Sequence, residues 1–425
     1  MNAPEISRGH HLTRKRTFFG AVGGFFARAA GVVAARGFHI MLDNIDRGLD
    51  QGSVEVRLPD GAVRFLGGRA AGPAAQAEIH HWNALVRLAR HGSVGCYEGW
   101  IVGDWSSADP VTLFELFVRN RKSLGNAGRA SGVARMAGKV AHQFKRNSKT
   151  GAKRNIEFHY DLGNDFYSTW LDSSMTYSSA IFAREDEALE DAQARKICAI
   201  LDRLNLADGS RLLEIGCGWG SLAEAALRRH HLDYHGITLS AEQKAYVDKR
   251  LNDAGLGNKA EVSLTDYRDV AGTYDAVASV EMVEAVGQDY WPAYLDTIAR
   301  SLKLGGHAAI QYISIDDDIF DAYSRSADFI QRYIFPGGML LSQSRFRALS
   351  EARGLSWEEQ ADFCLDYAKT LRMWRDRFDA AVEQGKLPSG FDEKFVSLWR
   401  FYLMYCEGGF RGGGINVAQV TLVKN

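Results

Sequence analysis

Apolar residues recur along this chain in two rhythms, and the change between them marks its organisation. Residues 53–58 and 62–66 alternate apolar and polar side chains around Pro59-Asp60-Gly61, which predicts a β-hairpin. Helical spacing is expected over 76–90 and again over 110–118. Residues 45–120 therefore read as a small α+β module. From residue 187 short apolar runs alternate with helical segments. Strands are expected at 211–215, 233–237, 260–264, 274–280 and 307–313, with helices at 222–229, 241–253 and 291–302. That βαβ alternation predicts an α/β fold with a parallel, doubly wound sheet, whose ligands lie beyond the carboxyl ends of the strands. Residues 316–410 are mostly helical in pattern and rich in aromatics, and 415–423 suit a last, antiparallel strand. A helical insertion there would cover the ligand edge of the sheet.

Charge changes the picture of the ends rather than of the core. Lys plus Arg number 51 and Asp plus Glu 52, a near balance that argues against a nucleic-acid partner bound through overall charge. The balance is uneven along the chain. No acidic residue falls between Ile6 and Leu42, where Arg14, Lys15 and Arg16 precede Phe18, Phe19, Phe25 and Phe26. A signal peptide fits poorly, because Arg28 breaks the apolar part and no convincing cleavage site follows. An amphipathic helix lying on a membrane surface, or a plain basic tail, fits better. A second acid-free stretch, between Leu116 and Ile156, carries a run of Arg and Lys and reads as a basic linker. It is either a solvated hinge or a patch for anionic lipid. The resulting divisions are a basic amphipathic segment (1–44), the α+β module (45–120), the linker (121–154) and a catalytic domain (155–425). The 5 cysteines are scattered without a CxxC pair, so neither a disulfide framework nor a structural zinc site is expected. No apolar run reaches the roughly 20 residues that span a bilayer.

The sharpest local signal is Glu214-Ile-Gly-Cys-Gly-Trp-Gly220, three alternate glycines directly after the first strand of the alternating region. Residues without side chains let the backbone turn sharply and lie against a ligand, with the next helix's N–H groups facing it. A dinucleotide would ask for GxGxxG and an acid at the end of the second strand. Here the spacing is GxGxG, and the second strand ends Gly236-Ile-Thr-Leu239. S-adenosylmethionine is the better fit.

Glu214–Gly220 together with Gly236-Ile-Thr-Leu-Ser-Ala-Glu-Gln243 resembles the cyclopropane-fatty-acyl-phospholipid synthase family, which includes the mycolic acid cyclopropane synthases. The resemblance continues through Phe158-His-Tyr-Asp-Leu-Gly-Asn-Asp-Phe-Tyr167, Met175-Thr-Tyr-Ser-Ser-Ala180 and Ser279-Val-Glu-Met-Val-Glu284. It extends to Tyr333-Ile-Phe-Pro-Gly-Gly338, to Tyr402–Arg411 and, in the first module, to Gly92–Trp105, covering about residues 50–425. It implies a class I methyltransferase sheet with a helical lid insertion, and one-carbon transfer from S-adenosylmethionine to an unsaturated phospholipid acyl chain.

The resemblance implies roles residue by residue. Tyr177 and Ser178 would close over the cofactor, and Gly216, Gly218 and Gly220 would cradle it. Thr238, Leu239 and Gln243 would hold the ribose side, and Asp266 and Tyr267 the adenine. Each also has an ordinary reading: Thr238 and Gln243 as helix-capping groups, Tyr267 as core. In the family a bound bicarbonate serves as base, held by a Glu, a Tyr, a His and backbone beside a Cys. Glu284 and Tyr367 match the first two; the other two positions read Gln311 and Ser179. Gln311 can hydrogen-bond an anion but has no proton to titrate near neutrality. The family resemblance favours a cyclopropane product, and Ser179 and Gln311 make a methyl-branched product the next alternative. Cys406 matches a family cysteine once regarded as catalytic, although the chemistry needs no thiolate. Glu281 is either a helper to Glu284 or simply exposed. The partner implied is unsaturated phospholipid in an anionic membrane surface, approached by a cytoplasmic, peripheral protein. A homodimer is a further expectation. The rivals are a silent lipid-binding homologue and a small-molecule methyltransferase.

Overall fold

The computed structural model describes residues 8, 9, 12, 31–125, 162–326 and 328–425. Residues 126–154 of the basic linker, most of the amino-terminal segment and the start of the Phe158–Tyr167 motif lie outside the described residues. The chain separates into two compact units.

The first unit combines described residues up to Gly125 with Arg325–Ile334 and Ser389–Gly414. Its sheet joins β1 (Ser53–Arg57), β2 (Val63–Gly67), β3 (Ala74–Ile79) and β4 (Trp105–Ser106) in the order β2-β1-β3-β4. The expected hairpin is present, with Val54 paired to Leu66 and Gly61 in the left-handed conformation at its turn. One expectation fails. Residues 76–79 are not the start of a helix but part of β3, parallel to β1. Alanine-rich sequence favours helix by local preference. Here Ala75 and Ile79 are buried while Ala74, Gln76 and Glu78 are exposed, so tertiary burial overrides that preference.

Helices α1 (Gly31–Gly48), α2 (Asn83–His91), α3 (Ser93–Ile101) and α4 (Pro110–Arg119) complete the module. Proline opens α4, and Asp109 caps it by accepting from the Thr112 N–H at 3.1 Å. The helix Glu393–Arg411 belongs to the same unit and approaches α4 very closely: a Cβ on Gly408 would fall 2.5 Å from the Phe114 Cβ. Glycine there is a packing requirement.

The second unit holds the alternating region. Strands β5 (Arg211–Ile215), β6 (Asp233–Thr238), β7 (Ala260–Leu264), β8 (Tyr274–Val280) and β9 (Leu302–Ile315) fall where the apolar runs predict them, although β9 starts earlier. β10 (Leu341–Ser342) pairs with β9, and the sheet runs β11-β12-β9-β8-β5-β6-β7. β12 (Ile415–Lys424) is antiparallel to β9. β11 (Leu355–Asp362) is an edge strand that the pattern missed, since most of its residues are at least partly exposed and acidic residues interrupt it. Helices α5 (Leu189–Asp202), α6 (Ser221–Arg229), α7 (Ala241–Asp253), α8 (Trp291–Ser301), α9 (Gln343–Glu351) and α10 (Cys364–Glu383) flank and extend the sheet. This is the expected doubly wound architecture, with class I methyltransferase topology. The insertion before β12 is not purely helical, and two of its pieces fall in the first unit.

Buried apolar side chains fill both faces of the sheet. Leu213, Val277, Ile310 and Tyr312 lie on one side and Leu212, Ala223, Val247 and Ala276 on the other. Each fully buried large aliphatic side chain contributes about 1.5–3 kcal/mol relative to exposure. The sheet is thus a rigid base from which the loops after β5 and β8 project.

Candidate active site

Strand β5 ends at Ile215, and Gly216, Gly218 and Gly220 follow with φ of 86°, 51° and 82°. An L side chain rarely adopts these values. The three glycines differ in what surrounds them. Gly216 faces Met282 and Gly220 faces Val247, where a Cβ would be 3.0 and 2.8 Å away, whereas no described residue lies within 4 Å of a Cβ at Gly218. The turn is thus held closely on two sides and open at its centre, directly before the amino terminus of α6. That shape fits S-adenosylmethionine.

The other residues assigned to the cofactor are held by local bonds. Thr238 donates to Gln243 at 2.9 Å, and Ser240 caps α7 by accepting from the Gln243 N–H at 3.2 Å. Thr238 and Gln243 are buried, and Leu239 keeps part of its exposure. Asp266 pairs with Arg268 at 2.6 Å, and Tyr267 packs edge-on against Tyr294 in the core. Their ordinary roles are therefore filled by the protein itself, at the strand ends where the fold places a ligand.

Tyr177 lies in a wall of aromatic rings. Its centroid is 5.3 Å from Trp374 and 5.5 Å from both Tyr167 and Trp170, and Tyr367 stands edge-on to Trp374 at 6.1 Å. Ser178 is buried and accepts from the Lys196 ammonium at 2.6 Å, while its carbonyl accepts from the Gln193 amide at 2.8 Å. Lys196 and Gln193 escaped the sequence reading. The signal was there: both are polar residues at positions that α5 buries among Leu189, Ala192, Ile197 and Ile200.

The loop after β8 carries the main departure from expectation. Glu281, not Glu284, stands where the expected groups meet. Its Oε1 accepts from the Ser179 N–H at 2.9 Å and from the Gln311 amide at 2.7 Å, and its Oε2 accepts from the Tyr367 hydroxyl at 2.7 Å. The backbone at 281 has φ 49°, a conformation that costs a non-glycine residue about 1 kcal/mol. Gln311 is fixed in turn by Gln419, its partner across β9 and β12, whose amide donates to the Gln311 carbonyl oxygen at 3.1 Å.

Glu284 is bound differently. Its Oε1 accepts from the Ile313 N–H, and its Oε2 is shut off from solvent with no hydrogen-bond partner. Burial, followed by the nearby Glu281, pushes its pKa up to about 8. Burial also raises the Glu281 carboxyl, but Tyr367, the Ser179 N–H, Gln311 and the Lys196 cation all pull it back. When two neighbouring carboxyls share one negative charge, it settles on the one with donors. The donors around Glu281 favour its charged form, and burial favours the neutral form of Glu284. The structure thus gathers Ser179, Gln311 and Tyr367 around Glu281, three residues before Glu284.

Cys406 lies in the first unit, on the helix Glu393–Arg411. Burial and then Asp328 raise its thiol pKa, so it is held protonated rather than poised as a nucleophile.

The family model described as mycolic acid cyclopropane synthetase matches residues 147–420. The chain is 39% identical over 366 residues to tuberculostearic acid methyltransferase UfaA1 of Mycobacterium tuberculosis, covering 84% of this chain and 85% of that protein. It is 32% identical over 364 residues to the cyclopropane-fatty-acyl-phospholipid synthase of Escherichia coli strain K12, covering 84% and 90%. Among solved structures it resembles the mycolic acid cyclopropane synthase CmaA1 complexed with SAH and CTAB. That match has a TM-score of 0.60 at 30% identity and covers 64% of this chain and 98% of that one.

Proposed function

The chain belongs to the mycolic acid cyclopropane synthetase family, whose members here are S-adenosylmethionine-dependent fatty acid methyltransferases and cyclopropane synthases, and from that premise we propose its reaction. It methylates the double bond of an unsaturated acyl chain carried by a phospholipid. When bound, S-adenosylmethionine supplies an electrophilic methyl group. The open centre of the glycine turn at Gly218 is where this chain would receive it.

One observation carries the reading: a carboxyl group held by three hydrogen-bond donors stands beside a wall of aromatic rings. Methylating an alkene leaves a carbocation on the chain. Ring faces stabilise positive charge, and a nearby carboxylate both offsets it and accepts the proton it must lose. Tyr177, Trp374 and Tyr367 provide the rings and Glu281 the carboxylate. A silent lipid-binding homologue would have no use for that combination. A methyltransferase for a polar small molecule would use polar groups to bind it rather than this wall.

Loss of a proton from a neighbouring chain carbon gives a methyl-branched alkene, which we favour on the stronger similarity to the tuberculostearic acid methyltransferase. Ring closure is the second reading, supported by the equally broad similarity to the Escherichia coli synthase. Among the described residues no helix is long and apolar enough to cross a membrane. Contact with the lipid would therefore come from the surface, and the two acid-free stretches suit an anionic bilayer. The test is mass spectrometry of phospholipids after incubation of the protein with S-adenosylmethionine and unsaturated, anionic vesicles. The expected result is a mass gain of one CH2 per modified chain. Mild hydrogenation then separates a methyl-branched alkene, which takes up H2, from a ring, which does not. Unmodified acyl chains under these conditions would refute the reading.

A further inference from the structure

We propose that Glu281 is the general base of this reaction, so that the protein removes the proton with a carboxylate of its own rather than a bound anion. The inference rests on the acyl-chain reading above and adds the residue that finishes the reaction.

Geometry carries it. The Glu281 carboxylate accepts from a backbone N–H, a side-chain amide and a phenol, each within 2.9 Å. An ionised carboxylate offers about four acceptor positions, so roughly one remains, on Oε2 beside Tyr367. Ser179 and Gln311 are fully buried, and these partners present only donors to the carboxylate, which favours its charged form. The groups expected to hold a bicarbonate are thereby occupied. The Ser179 backbone, Gln311 and Tyr367 converge on the Glu281 side chain, and there is no need for a second anion between them.

The backbone points the same way. Glycine would adopt φ 49° freely, yet this position carries a long acidic side chain. Such a conformation is kept when the side chain it presents is used. The charged and titratable groups around Glu281 are Glu284 on its own loop, Lys196 from α5, Tyr367 from α10 and, farther along the Lys196 surroundings, Asp172 and Glu214. Of these Glu284 has no donor on its Oε2 among the described residues, and burial favours its neutral form. Lys196 is spoken for by Ser178 and acts as a buried counter-charge.

The step balances without any further reagent. The alkene's π electrons form the new bond to the methyl carbon, and the pair of the broken carbon–sulfur bond stays on sulfur. The adjacent chain carbon becomes cationic. Glu281 then takes one proton, and the electrons of that C–H bond form either the ring or a displaced double bond. The proton rests on Glu281 as a neutral carboxyl and passes to solvent when product leaves.

Two variants of the full-length protein test this. Glu281→Gln should reduce turnover on unsaturated anionic vesicles by about 100-fold or more, a range typical of general-base removal. Its S-adenosylmethionine affinity, measured by calorimetric titration, should stay within about threefold of wild type, which also shows that it is folded. Glu281→Gly suits the backbone and opens a space for a small anion. Calorimetric titration with formate should detect binding to this variant and none to wild type, and formate or bicarbonate should restore about tenfold or more of the lost turnover. Wild type should keep full activity in buffer stripped of carbon dioxide. Near-normal turnover by Glu281→Gln, failure of Glu281→Gly to bind or respond to either anion, or a wild type that needs added bicarbonate would each overturn the proposal. Those results presuppose an active wild type. A wild type that modifies no acyl chain defeats the acyl-chain reading itself, and the base with it.

Discussion

The turn after β5 and the loop after β8 leave neighbouring strands of one sheet, yet they work by opposite means. The first acts through the absence of side chains: Gly216, Gly218 and Gly220 supply left-handed backbone, and Gly218 has open space beside it. The second acts through a crowd of side chains. Glu281, Gln311, Tyr367 and Gln419 lock one carboxylate in place, and a glutamate occupies the left-handed position. A backbone site is specified by spacing along the chain. A side-chain site is specified by which residues the fold brings together, and with Ser179 its members come from five separate stretches of sequence.

The largest effect should come from filling the open site. Gly218→Val puts a branched side chain where no described residue now lies, in a conformation that costs a non-glycine residue about 1–2 kcal/mol. The fold should survive with a modest loss of stability. S-adenosylmethionine affinity should fall by about 100-fold or more, equivalent to about 2.7 kcal/mol. Calorimetric titration checks this, and unchanged affinity would remove the contrast by showing that the turn is only a turn.

This contrast also explains what could be read from the chain. The strands of the parallel sheet, the antiparallel last strand and the glycine turn are all local patterns, and the apolar runs mark them directly. Residues 76–79 misled because alanine favours helix locally while burial of Ala75 and Ile79 is decided by the rest of the sheet. At the carboxylate cluster, Ser179, Gln311 and Tyr367 were identifiable by resemblance, but the choice between Glu281 and Glu284 was not. The two are three residues apart, and only their different donors separate them. Gln419 and Lys196 could have been suspected as polar residues within apolar runs, but nothing local to them names their partners.

A second, intermediate effect tests the division of charge between the two glutamates. The folded-state pKa of Glu284 is raised from the usual 4.5 to about 8. A group raised in this way contributes its full stabilisation below about pH 4.5. It loses that contribution as pH rises toward about 8, because the unfolded chain has already released the proton that the folded chain retains. Glu284→Gln keeps the acceptor for the Ile313 N–H and removes the titration. The two proteins should have similar unfolding free energies near pH 5. They should diverge by about 3–4 kcal/mol in favour of the variant near pH 8, as followed by urea denaturation across that range. Parallel stability profiles would mean that Glu284 is ionised in the folded protein, and the contrast with Glu281 would then be lost.

The smallest effect belongs to the residue farthest from the chemistry. Gln419 donates to the Gln311 carbonyl oxygen at 3.1 Å and to the Lys196 carbonyl at 3.3 Å, and its own oxygen accepts from Arg203 at 3.3 Å. An amide can present either its oxygen or its NH2 group to a neighbour, and only the NH2 group suits an ionised carboxylate. By engaging the oxygen of Gln311, Gln419 turns the NH2 group toward Glu281. Gln419→Met fills a similar volume but leaves Gln311 without that direction. A flipped amide would set its oxygen against the Glu281 carboxylate. The cost should be about 1 kcal/mol, or roughly a fivefold fall in kcat, with S-adenosylmethionine affinity unchanged. Gln419→Met should add little to Gln311→Met, because the second residue acts only through the first. Full additivity of the two substitutions in kcat would show that Gln419 stabilises β12 independently of the carboxylate. In that case the ordered crowd of side chains after β8 ends at Gln311.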